Sequence, residues 1–276
     1  MSIHLTVKHL RRIARLDSLF IAGVLLLAIF AAGCGHSENS EEPGGRPAAV
    51  NSAAKPIDPA TAGTVTGTVQ FDGALPQMKN VNMASVPSCA KLHSSPQMAQ
   101  DVVLGNNGTL QNVVVYLKGD FSQYAFPPAT APIQIDQGGC VYSPHVVALV
   151  TGEPLQITNS DATTHNVNAI STRRQGWNQT LVPGAAPIES SFAREEIPIA
   201  VKCNIHPWMK FYVAVFRHPY FQVTGNDGSF VLKNVPPGSY TLTAWHERYG
   251  SKERTVIVKP NSKQNISITF TERDRR

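Results

Sequence analysis

This chain lacks what several common protein classes require. No long segment carries a 3.6-residue apolar period, which argues against a helical bundle. No basic stripe is interleaved with aromatics, so nucleic acid is not an expected partner. No nucleophile or oxyanion motif accompanies an acid–base pair. Apart from a candidate metal centre, the chain therefore does not read as an enzyme. Only four cysteines are present among 276 residues. The apolar run over residues 19–32 is about a dozen residues long, too short for a comfortable transmembrane helix.

That run has a basic flank, with Lys8, Arg11, Arg12 and Arg15 before it. It ends in Ala31-Ala32-Gly33-Cys34, which resembles the bacterial lipobox, with Ala31 where the pattern prefers Leu. The resemblance implies removal of residues 1–33, lipid on Cys34, and a place in the periplasm or cell envelope, anchored to a bacterial membrane. An uncleaved membrane anchor is the alternative, and Arg11-Arg12 leaves twin-arginine export open. Residues 34–62 hold Ser, Glu, Gly, Pro and Ala with almost no large apolar side chain, so a disordered tether is expected. About 28 such residues reach roughly 30 Å. Loss of residues 1–33 removes four basic residues and one acidic residue, so the formal charge falls from +5 to about +2. Arg173-Arg174 reads as a solvated loop pair.

Cys203-Asn204-Ile205-His206-Pro207-Trp208-Met209 is the most informative stretch. It places a thiolate, an imidazole and a thioether at C-x2-H-x2-M spacing. Soft sulfur beside imidazole suits copper, and two His, one Cys and a weak axial Met make a blue-copper site. The second His must come from elsewhere, and His165 is the candidate. Zinc is the rival ion, although Met is a poor zinc ligand.

With His165-Asn166-Val167 upstream of that loop, residues 133–217 resemble the cupredoxin family, and the short loop most resembles that of amicyanin. The resemblance implies one type 1 copper, with His165, Cys203 and His206 equatorial and Met209 axial. It implies that Asn166 ties the two ligand loops together, and that His206 is the ligand nearest solvent, beside Pro207 and Trp208. The partners it implies are other redox proteins.

The remainder is short β-rich runs broken by Gly, Pro, Asn and Asp, so the fold class expected is all-β. Strands are expected over residues 64–71, 111–117, 142–147, 151–159, 221–224, 229–232, 239–245, 256–258 and 266–270. Thr224-Gly225-Asn226-Asp227-Gly228-Ser229-Phe230 and Asn234-Val235-Pro236-Pro237-Gly238-Ser239-Tyr240 resemble motifs of the carboxypeptidase regulatory-like domain, a transthyretin-type β-sandwich. A nested arrangement follows: residues 63–128 and 218–276 form that sandwich, and 129–217 form a cupredoxin-like Greek-key sandwich inserted into it. One extended sandwich with a grafted copper loop is the alternative.

His145, His218 and His246-Glu247 read as structural. With Cys34 lipidated and Cys203 on the metal, Cys89 and Cys140 remain, and leftover cysteines in an exported chain usually pair. The sequence therefore reads as a lipid-anchored blue-copper protein carrying single electrons. A copper-delivery module and a structural or adhesive envelope protein are the alternatives.

Overall fold

The computed structural model describes residues 54–276 except Leu75. Residues 1–33, Cys34 and the first part of the tether lie outside the described residues. Among the described residues, no helix is long and apolar enough to cross a membrane.

Strand β1 (Gly63–Phe71), one short helix, α1 (Pro87–Ala90), and β2 (Val114–Lys118) come first. Nine strands follow: β3 (Ile133–Gly138), β4 (Val141–Ser143), β5 (Val146–Val150), β6 (Leu155–Asn159), β7 (His165–Ile170), β8 (Trp177–Leu181), β9 (Ile188–Ser190), β10 (Glu196–Lys202) and β11 (Lys210–Phe216). Five more close the chain: β12 (Phe221–Val223), β13 (Ser229–Val235), β14 (Gly238–His246), β15 (Gly250–Val258) and β16 (Lys263–Phe270).

These strands form four sheets. The orders β13-β1-β16 and β12-β2-β14-β15 use only strands from the two ends of this series. The orders β5-β11-β10-β7-β8 and β4-β3-β6-β9 use only β3 to β11. Strand β1 alternates buried and less buried residues, as a strand with one face on a core must. It pairs antiparallel with β13 and parallel with β16, so the first strand is joined to the last. Val65, Val69, Phe230 and Ile268 from that sheet pack against Val115, Leu117, Leu242 and Val256 from its partner. In the second sandwich, Ile135, Tyr142, Leu155 and Ile157 face Val167, Val201, Phe211 and Val213.

A third apolar cluster joins the two sandwiches. It contains Val114 and Tyr116 of β2, Val146 of β5, and Ala214 and Phe216 of β11, with Trp245 against it. Beside it the Glu247 side chain, 5% exposed, is bonded to both His145 and Lys210, the latter at 2.5 Å.

Two differences from the sequence reading have local causes. The strand expected over 142–147 is divided into β4 and β5 around Pro144, which cannot donate to a sheet ladder. The strand expected from residue 151 begins at Leu155, after a turn in which Gly152 has φ +80°. The stretch around residues 81–90 also departs from the expected division at 128. Met83 and Cys89 are buried in the second core, and Val81 and Val86 pack on it. A Cys89–Cys140 disulfide, with Cα atoms 5.6 Å apart, links this stretch to the β3–β4 turn across 51 residues. A closed loop of that length contributes roughly 4 kcal/mol in the chain-entropy account.

Candidate metal centre

The sheet register places the candidate ligands at one end of the second sandwich. β10 pairs antiparallel with β7 and β11, with Lys202 opposite both Asn168 and Lys210. Cys203 follows the last residue of β10, Met209 precedes the first of β11, and His165 opens β7. The loop closes on itself: Cys203 N–H donates to Met209 O at 3.1 Å, and Met209 N–H to His206 O at 2.9 Å. A loop this short has little freedom to rearrange.

His165, Cys203 and His206 offer ligand atoms within 4.8 Å of one another, and all three are buried. The Nδ1 atoms of His165 and His206 are 3.0 Å apart, and His206 Nδ1 is 3.7 Å from Cys203 Sγ. Nitrogens about 2.0–2.1 Å from a shared ion would lie roughly 3 Å apart at a bond angle a little over 90°. The donor set and its spacing fit a thiolate–imidazole ion site. Met209 is 1% exposed and belongs to the same core.

The thiol environment favours the anion. Burial pushes the Cys203 pKa up, but hydrogen bonding to His165 and from the N–H groups of His206 and Asn166 outweighs it, leaving the thiol below its ordinary value. The Asn166 and His206 amides stand 3.3 and 3.4 Å from Sγ. Burial pushes His165 down, but Cys203 and Asp161 together hold it above the ordinary imidazole value. His206 is lowered by burial and then by His165.

Asn166 joins three segments. Its Oδ1 accepts the Asn204 N–H at 3.2 Å, while its Nδ2 donates to Asn178 Oδ1 at 2.8 Å and Gln179 O at 3.0 Å.

The position of His206 overturns one expectation. It is not the solvent-facing ligand: it is 1% exposed. Cys89 Sγ lies 3.7 Å from its Nε2, and the Trp208 ring centre lies 5.2 Å from its own. Trp208 is held there by a 2.9 Å bond from Nε1–H to Cys140 O. Asn204, Ile205 and Pro207 are instead the exposed members of the loop.

Asp161 was not singled out in the sequence, yet its Oδ2 accepts from His165 Nε2 at 2.8 Å. The only sequence signal is its place four residues before His165. The other titratable groups lie elsewhere. His145 is paired with Glu247, while His246 stacks on Tyr249 and His218 sits among Phe121, Phe216 and Tyr220. Arg173 and Arg174 are exposed.

Residues 213–271 match the Carboxypeptidase regulatory-like domain. The match begins within β11, slightly before the boundary expected at 218. No curated protein matches the chain. Among solved structures, it is similar to a Cu-containing nitrite reductase from Thermus scotoductus SA-01, at 20% identity over 35% of this chain and 24% of that one, with a TM-score of 0.30. It is also similar to a purple cupredoxin from Nitrosopumilus maritimus, at 26% identity over 30% and 97%, with a TM-score of 0.26. An oxidised proline-to-glycine mutant of amicyanin is 18% identical over 32% and 89%, with a TM-score of 0.28. The chain spans about a quarter of the nitrite reductase. The fold is all-β, two joined sandwiches, and residues 213–271 match the Carboxypeptidase regulatory-like domain.

Proposed function

We propose that this protein is a lipid-anchored, extracytoplasmic blue-copper protein that carries single electrons between redox proteins and is not itself an enzyme. The carrying observation is the convergence of His165 Nδ1, His206 Nδ1 and Cys203 Sγ in a buried pocket. Met209 would complete the set as the weak axial ligand. Copper bound there would supply a one-electron couple, with thiolate and imidazole ligation suited to both oxidation states.

The residues contribute rigidity and dryness. Cys203 is 3% exposed and accepts hydrogen bonds from two backbone amides. Asp161 holds His165, and Asn166 ties the loop to β7 and β8. Ligands fixed by the fold need little rearrangement when charge changes. The cover over His206 supports retention of an ion rather than its rapid delivery. The lipid anchor is proposed from the Ala31-Ala32-Gly33-Cys34 motif alone.

The test is the visible spectrum of oxidised protein loaded with copper, followed by voltammetry. An intense thiolate charge-transfer band and a reversible one-electron wave are expected. A colourless copper complex would overturn the reading.

A further inference from the structure

The Gly139–Cys140 turn between β3 and β4 makes an unusual set of contacts. Asp161 Oδ1 and Oδ2 accept the N–H groups of Gly139 and Cys140, both at 2.7 Å. His93 Nε2 bonds Gly139 O at 2.7 Å, and Trp208 Nε1–H bonds Cys140 O at 2.9 Å. All four backbone polar groups of the two residues are therefore engaged. Gly139 has φ +64° and Cys140 φ +53°, a left-handed pair that a β-branched residue would strain. Such a turn persists where its surroundings hold it.

This turn reaches both candidate ligand histidines. Asp161, which caps it, accepts from His165 Nε2 at 2.8 Å. Cys140 carries the disulfide to Cys89, whose Sγ lies 3.7 Å from His206 Nε2. Each imidazole thus has its Nε2 edge against the brace and its Nδ1 towards Cys203. The hydrogen bond at one ring nitrogen sets which tautomer is present, and therefore which nitrogen is free to ligate. A carboxylate behind a ligand imidazole also raises its basicity and fixes its plane.

We propose that Asp161 and the Cys89–Cys140 turn form one outer brace that holds both ligand imidazoles by their Nε2 edges, with Asp161 as the positioning residue. This rests on the copper reading above. Asp161 sets the orientation and electron density of His165, while the disulfide covers His206 and keeps water and small anions from that side. His93 and Trp208 secure the turn from opposite directions. The cover comes from residues 81–93, which precede the second sandwich in sequence yet pack on its core.

The experiment uses copper-loaded wild type, Asp161→Asn and Cys89→Ala/Cys140→Ala. It reads copper loss to an excess of chelator, the midpoint potential, and spectral change on adding azide. Asp161→Asn is close in shape but loses the charge and one acceptor. It is expected to weaken copper retention about 10- to 100-fold and to raise the potential, because a less basic His165 stabilises the oxidised ion less. A merely structural role would leave the potential unmoved. The cysteine variant is expected to admit azide where wild type does not. Should it not fold, Trp208→Phe keeps the ring, loses the bond to Cys140, and is expected to release copper faster. If wild type is blue and the variants match it in retention, potential and azide response, the brace is overturned and the copper reading stands. If wild type takes no copper, both are overturned.

Discussion

Cys203 is the residue on which the proposed chemistry turns. It is buried, and backbone amides point at its sulfur. Cys203→Ser removes the soft anionic donor while nearly preserving volume. Loss of the charge-transfer band is expected in the absorption spectrum, and retention of the colour would exclude Cys203 as a ligand. Met209→Leu leaves the thiolate in place, so the band is expected to persist while voltammetry shows a shifted potential. These roles were legible because the residue types stand close together in sequence. Asp161 was not, because its role depends on where the Gly139–Cys140 turn arrives. The burial of His206 was hidden for the same reason: the sulfur covering it belongs to a residue 117 positions earlier.

Among the elements, β1 has the narrowest tolerance. A Cβ on Gly67 would stand 1.8 Å from the Ile266 carbonyl oxygen of β16 and 2.6 Å from the Phe230 ring. The backbone of a paired strand cannot withdraw without breaking its ladder. Gly67→Ala is therefore expected to destabilise the protein by more than about 2 kcal/mol, measured by urea unfolding. A loss below about 0.5 kcal/mol would mean that β16 can move away. Strand positions were readable from alternation and turn residues, most clearly in β1, β13, β14 and β16, whereas only the last three residues of β15 were expected. Strand breaks at Pro144 and before Leu155 were less so, because short apolar runs leave the ends of strands undecided. Helix α1 carries Cys89 onto the second core. The disulfide, the apolar contacts of Val81, Met83 and Val86, and the His93–Gly139 bond put it there.

For the whole molecule, the contact between sandwiches rests on the shared apolar cluster and on the buried Glu247 side chain. Burial raises the Glu247 pKa, but His145 and Lys210 more than compensate and hold it at about 2. Glu247→Gln leaves Lys210 without its counter-charge and weakens the bond to His145. A loss of about 3 kcal/mol or less is expected, because Lys210 is partly exposed. Calorimetry checks this, and the copper spectrum is expected to be unchanged. Acid should act in two windows. Burial lowers His218 and His246 from 6.5 to about 4. The unfolded chain therefore binds these protons first, and stability falls as pH drops from about 6.5 towards 4. Below about 4.5 the Glu247 contribution is lost in turn, as pH falls towards 2. The thermal midpoint against pH tests both windows. Asn at positions 218 and 246 retains an acceptor for the Tyr220 and Arg248 amides, which bond the histidine Nδ1 atoms at 3.2 Å in each case. The double variant His218→Asn/His246→Asn is expected to lose the upper slope. An unchanged slope would place those protons elsewhere.

Local chemistry determined what could be read without coordinates. Alternation and turn residues specify strands, and a seven-residue loop carries Cys, His and Met at a spacing that suits a soft metal. Tertiary structure decided which distant atoms meet those residues. Sheet pairing brings His165 beside Cys203. The Cys89–Cys140 link lays an earlier segment over His206, and the chain path between the sandwiches buries the Glu247 side chain against His145 and Lys210. Such contacts arise from closing loops of 37 to 117 residues, and a closed loop leaves no periodic trace in the residues it joins.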